Sequence, residues 1–237
     1  MKFYVYCLAE KIDASTAALR GISDASVEAI DVEDLSFLVS KFDEKSMPLS
    51  VENALAHAKV VQEVFKETTP LPFRFGTVMT EQQLREYVTA HRSVLEAKLE
   101  QVRDCVQMSV RIICNTDQTA TDSSPETEGP GTEFLKEKRR QILGSDAGNT
   151  LAKDVASWLQ KQVGTLIKEE SVSVSAADKV MVVAAHLVAR EQVAEYRGRL
   201  AEARKMRPEL HFLVSGPWPP YSFSNIELEF KTRFGVS

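Results

Sequence analysis

The sequence predicts an α+β protein built as two domains, residues 1–103 and 104–237. Two observations carry this expectation. Short β-branched and aromatic runs alternate with stretches whose apolar residues recur at helical spacing. From about residue 105 the order becomes strand, helix, strand, strand, helix, strand. With 237 residues, 43% of them hydrophobic and 27% charged, the chain is long enough for one large domain or two that each bury a core.

In the first domain, Phe3-Tyr4-Val5-Tyr6-Cys7-Leu8 is aromatic and β-branched and reads as a buried strand. Residues 27–32 and 35–39 read as two further strands, with the acidic pair Glu33-Asp34 as the turn between them. Ser50 follows Pro48 as an N-cap, and Leu55, Ala58, Val61, Val64 and Phe65 then recur at helical spacing up to Thr68-Thr69. The prolines at 70 and 72 impose an extended segment that ends at Gly76. Thr80 caps the next helix with Gln83 at the capping-box position, and its apolar face is Leu84, Tyr87, Val88, Leu95, Leu99 and Val102.

In the second domain, residues 106–114 read as a strand. The stretch 115–131 is built almost wholly of small and acidic residues, with no basic one, and is expected to be a mobile acidic loop. A long helix is expected over about 134–166, with Gly144 and Gly148 weakening its middle. Residues 170–175 and 179–187 are two strands, 190–206 is a helix that ends before Pro208, and 210–214 closes the set. The order βαββαβ is ferredoxin-like. Three prolines in four residues after Gly216 should stop the last strand there.

A net charge of −5 and the absence of a Lys/Arg cluster interleaved with aromatics argue against nucleic acid. Lys136, Lys138, Arg139 and Arg140 are accompanied by Glu133 and Glu137, as on a solvated helix face. The longest uncharged apolar run, residues 180–189, is half of what a spanning helix needs, so no lipid membrane is expected as a partner. Cys7, Cys105 and Cys114 show no CxxC spacing, which fits a reducing cytoplasm.

The chain offers little chemistry. His57, His91, His186 and His211 are scattered, with no metal-ligand spacing, and His186 reads as a satisfied core histidine. There is no phosphate-cradling glycine loop and no nucleophile elbow. The expectation is no catalytic, cofactor or metal site. Two motifs stand out instead. In Leu71-Pro72-Phe73-Arg74-Phe75-Gly76-Thr77-Val78, Arg74 lies opposite its two flanking phenylalanines if the segment is a strand. It is then either an exposed, salt-bridged arginine or a fork holding a carboxylate or carbonyl across a contact. The second is Gly216-Pro217-Trp218-Pro219-Pro220-Tyr221-Ser222-Phe223, a stiff aromatic segment that is either a plug for the protein's own core or a docking surface. Arg74, Phe75, Trp218, Tyr221 and Phe223 are therefore the candidate protein-contact residues.

These motifs, together with Tyr4-Val5-Tyr6 and His57, resemble the gas vesicle protein F/L family, and the resemblance spans essentially the whole chain. Ala185-His186-Leu187-Val188 with Arg190-Glu191 is similar to that family's Ala-Tyr-Leu-Val-Pro-Arg-Glu segment, with His186 in place of tyrosine and Ala189 in place of proline. The resemblance implies a two-domain α+β protein with a ferredoxin-like second domain and no enzymatic activity. It implies a minor structural and assembly component of the gas vesicle, located at the vesicle within the cytoplasm. Its partners would be the small, hydrophobic main shell protein, which it would keep from aggregating during nucleation and early assembly, and other minor gas vesicle proteins. Readings from other classes are a ligand-binding regulatory module, since ferredoxin-like domains often host ligands, and an enzyme whose site only the fold assembles.

Overall fold

The computed structural model describes residues 1–10, 19–42, 50–114, 146–175 and 180–224. The acidic loop expected at 115–131 and the first part of the long helix, 134–145, lie outside the described residues. The chain divides into two compact units, Met1–Gln107 with Trp218–Ser237, and Met108–Pro217. The expected boundary at 103/104 thus differs by a few residues, and the proline-aromatic tail belongs to the first unit rather than the second.

The first unit holds a five-stranded sheet. Strands β1 (Lys2–Glu10), β2 (Glu28–Val32), β3 (Leu35–Lys41) and β4 (Leu71–Pro72) run in the order β2-β3-β1-β4, and β5 (Val78–Thr80) also pairs with β1. β1 is buried from Phe3 to Ala9, as a central strand of aromatic and β-branched residues should be. Its antiparallel register with β3 shifts between Val5 and Cys7, which leaves Tyr6 as the extra residue of a bulge. The bulge explains an apparent break in alternation: Tyr4, Tyr6, Cys7 and Ala9 all join one core cluster with Leu38 and with Val60, Val61 and Val64 of helix α1 (Val51–Glu67). Leu8 pairs with Phe37, and Phe37 packs on Phe73, which packs on Tyr87 of helix α2 (Glu81–Val102). The two helices therefore cover opposite faces of the sheet.

Both helix starts follow from the sequence. The Ser50 side chain accepts from the Asn53 N–H, and Thr80 and Gln83 form a complete capping box. The buried positions of α2 are the six apolar residues that the periodicity selects.

The second unit is the ferredoxin-like one. Its strands β6 (Cys105–Cys114), β7 (Ile167–Ser175), β8 (Val180–Ala189) and β9 (Leu210–Trp218) run in the order β7-β8-β6-β9. Helices α3 (Asp146–Val163) and α4 (Val193–Met206) pack on each other and on β8, so they share one face. His186 points to that face, with Nδ1 2.6 Å from the Tyr196 hydroxyl of α4. Buried and hydrogen-bonded, it is the satisfied core histidine of the sequence reading.

One expectation is corrected here. β9 does not stop at Val214 but runs on through Gly216 and Pro217 to Trp218, with the Gly216–Pro217 peptide cis. β9 is the last strand in the order and has β6 as its neighbour. A proline at a sheet edge removes no ladder hydrogen bond if its nitrogen faces away from the neighbour, so the strand can carry it.

Candidate functional site

The five candidate residues all fall in the first unit, which also holds a buried polar network. Tyr4 and Tyr6 stand in an apolar strand, and a buried phenol needs a partner. The Tyr6 hydroxyl accepts from the Ile22 N–H at 2.9 Å and donates to Ser40 Oγ at 2.9 Å, and Ser40 passes its own proton to the Ser26 carbonyl. Gly21 leaves room for this, since a Cβ there would lie 1.8 Å from that hydroxyl oxygen. Tyr4 donates to His57 Nδ1 at 2.8 Å and accepts from the Gly76 N–H at 3.2 Å. His57 makes a further hydrogen bond with the Phe73 backbone. These bonds tie β1 and α1 to both ends of the Phe73-to-Gly76 segment.

That segment determines where Arg74 points. The regular strand ends at Pro72, and a turn at Phe75-Gly76 follows, with Gly76 at φ 91°, a region that favours glycine. The Arg74 carbonyl accepts from both the N–H and the hydroxyl of Thr77. Phe73 and Phe75 consequently part to opposite faces. Phe73 lies with Phe37 and Tyr87, whereas Phe75 stacks edge-on against Tyr4 and His57, with centroids 6.1 and 5.9 Å away. The expectation of one shared face fails because the segment turns instead of continuing as a strand. Arg74 is exposed and, among the described residues, makes no ion pair, so the salt-bridged reading does not hold there.

The tail resolves into two sets of side chains. Pro219, Pro220 and Phe223 are buried, and Phe223 is 3% exposed. Trp218 and Tyr221 remain 45% and 38% exposed. The turn is held by the Tyr221 and Phe223 N–H groups donating to the Pro219 and Pro220 carbonyls, and the Ser222 N–H donates to Gln107 Oε1 at 2.8 Å. Burial of Phe223 is worth roughly 1.5–3 kcal/mol. Plug and presented surface thus coexist within one short segment.

The electrostatics tie the two motifs together. Burial pushes the Tyr221 hydroxyl up to about 12, and its proximity to Cys7 adds to this. Tyr4 is pushed up by burial first, with Tyr6 and Tyr221 contributing against the Gly76 bond that lowers it. Burial holds His57 neutral, down at about 4, against the Phe73 bond that favours its charged form. Burial also pushes the Cys7 thiol well up. Phe75 therefore packs on Tyr4, Tyr221 lies within electrostatic reach of the same hydroxyl, and Phe223 anchors the tail. The supporting roles of Tyr4, His57, Gln107 and the two buried prolines are invisible to motif reading. The one available signal was a pair of tyrosines inside an otherwise apolar strand.

A family model described as gas vesicle synthesis protein GvpL/GvpF matches residues 2–225. The chain belongs to that family. Among GvpL/GvpF relatives, gas vesicle protein F1 of Halobacterium salinarum is 24% identical over 98% of this chain and 97% of its own. The crystal structure of GvpF from Anabaena sp. PCC7120 superimposes with a TM-score of 0.76 at 18% identity, covering 96% of this chain and 97% of that one. That of GvpF from Microcystis aeruginosa gives 0.75 at 20% identity, covering 95% and 99%. The two-unit α+β architecture is therefore the fold of GvpF proteins. No described helix of this GvpL/GvpF member is long and apolar enough to cross a membrane.

Proposed function

We propose that the protein is a non-catalytic assembly component of the gas vesicle in the cytoplasm. It binds the main hydrophobic shell protein, keeps it from aggregating during nucleation and early assembly, and works alongside other minor gas vesicle proteins. Membership of the gas vesicle family over nearly the whole chain is the observation that carries this reading. A shell protein with an apolar gas-facing surface aggregates unless that surface is covered. The first unit offers suitable side chains: Trp218 and Tyr221, exposed on a segment pinned by Pro219, Pro220 and Phe223, and Arg74 on a braced turn. Rigid aromatics lose little entropy on binding and are frequent anchors of interfaces.

The test is the double variant Trp218→Ala/Tyr221→Ala, with its fold verified by circular dichroism. Binding to purified shell protein should weaken at least tenfold, and light scattering should show shell protein aggregating in its presence. Unchanged binding with an intact fold refutes this surface as the contact. Deleting the gene and finding full flotation of the cells refutes the assembly role itself.

A further inference from the structure

A second surface lies in the other unit, on the strand that leads into the proline-aromatic segment. An open groove of about 1010 Å³ runs between helix α4 and strand β9. Its α4 wall carries Arg197, Arg204 and Lys205, and its β9 wall carries Leu213, 58% exposed, and Val214, 42% exposed. In a chain of net charge −5 this is a local concentration of cations.

The pairing of these cations is uneven. Lys205 is matched by Glu202 at 2.7 Å, as Arg199 outside the groove is matched by Glu195 at 2.6 Å. Arg197 instead donates to the Gly216 carbonyl at 2.7 Å, across the groove to β9. Among the described residues neither Arg197 nor Arg204 has a carboxylate partner. The two sit seven residues apart, two helical turns on one face, which sets their Cα atoms roughly 10.5 Å apart along the axis. Guanidinium forks at such a spacing suit carboxylates, and the 42% exposed Val214, on the helix side of β9 with Phe212, suits an apolar side chain.

We infer that this groove binds an extended peptide segment of a partner protein in which acidic and apolar residues alternate. In an extended strand the side chains of one face recur every ~6.6 Å, so acidic residues on one face bracket the arginine separation. The alternate residues then face Val214, which lies on the same side of β9 as Phe212. Such recognition by edge strand and helix is a common mode for peptides. Gly216 lines the groove and opens the proline-aromatic segment, so this surface adjoins in sequence the aromatic one proposed for the shell protein but shares no contact side chain with it.

The probe is a fluorescein-labelled (Glu-Val)4 peptide, titrated with the full-length protein and followed by fluorescence anisotropy. Binding is expected, weakening several-fold between 50 and 300 mM NaCl. The variants Arg204→Ala and Arg197→Ala/Arg204→Ala should weaken it by at least threefold and tenfold respectively. Val214→Ser should weaken it at unchanged salt dependence. The single Arg204 variant guards against loss of fold, because its side chain makes no bond to β9. No binding of (Glu-Val)4, equal binding of (Lys-Val)4, or an unchanged affinity in the arginine variants overturns the proposal. Equal or tighter binding of a single-stranded oligonucleotide at the same arginines overturns it in favour of a general phosphate-binding surface.

Discussion

Among the described residues each unit buries a hydrogen-bonded tyrosine–histidine pair, and the two pairs differ in what surrounds them. In the first unit the Tyr4 hydroxyl joins His57 to the Gly76 N–H, and the ring neighbours are Tyr6 and Phe75. In the second, His186 meets Tyr196 with ring centroids 5.8 Å apart, and the Glu170 carboxylate lies 4.0 Å from Nε2. Burial depresses both imidazoles to about 4. One pair is thus a node holding the Phe73-to-Gly76 turn, while the other fastens a helix to a sheet. The same chemistry serves a loop in one place and packing in the other.

Acid should affect both pairs most strongly. Folded, each histidine stays neutral down to about pH 4, whereas the unfolded chain takes up the proton near its ordinary value of 6.5. The unfolded state therefore binds more protons in this window, and stability that is complete above pH 6.5 is lost as the pH falls towards 4. Between pH 7 and 4.5 each pair should forfeit about 2–3 kcal/mol, read as the shift in urea unfolding. His57→Gln and His186→Gln should each flatten that dependence, and a slope unchanged in both would show that carboxylates alone govern it.

Next in size is Tyr4→Phe, which leaves a backbone N–H and a histidine nitrogen without partners. A cost of about 2–4 kcal/mol in thermal unfolding is expected, together with faster hydrogen exchange at Gly76. Tyr196→Phe strips a single partner and should cost about 1–2 kcal/mol, leaving Gly76 exchange unaltered. Equal costs for the two would break the distinction between node and fastener. Smallest is Glu170→Gln, which should change stability at pH 7 by less than about 0.5 kcal/mol while making acid unfolding slightly steeper, since the carboxylate favours the imidazolium. No difference in that steepness would place Glu170 outside the electrostatic reach of His186.

Features set by neighbours in sequence were legible in it. The Thr80–Gln83 box and the six-residue apolar face of α2 are local, and so is the βαββαβ order of the second unit. Features set by distant partners were not. Phe73 and Phe75 part because a glycine turn ends the strand between them, and their neighbours come from β1, β3, α1 and α2. β9 carries Pro217 because of its place in the sheet order, which no local pattern encodes. The five candidate contact residues could be picked out as unusual. Which of them point outward depends on Tyr4, Gln107 and the bulge at Tyr6, all far away in the chain.

The first unit is closed by residues that the ribosome makes well after the rest of it. Met1–Gln107 emerges early, but Trp218 and Phe223, which share its compact unit, follow only after Met108–Pro217 has been made. At about 5–20 residues per second this interval is roughly 5–20 s. During that time the nascent first unit lacks the Phe223 plug, and the Gln107 side chain lacks its Ser222 bond. The side chains of Trp218, Tyr221 and Phe223 therefore join the first unit only after Met108–Pro217 has been made, and a chain cut short at Pro217 leaves that unit without the Phe223 ring that it buries.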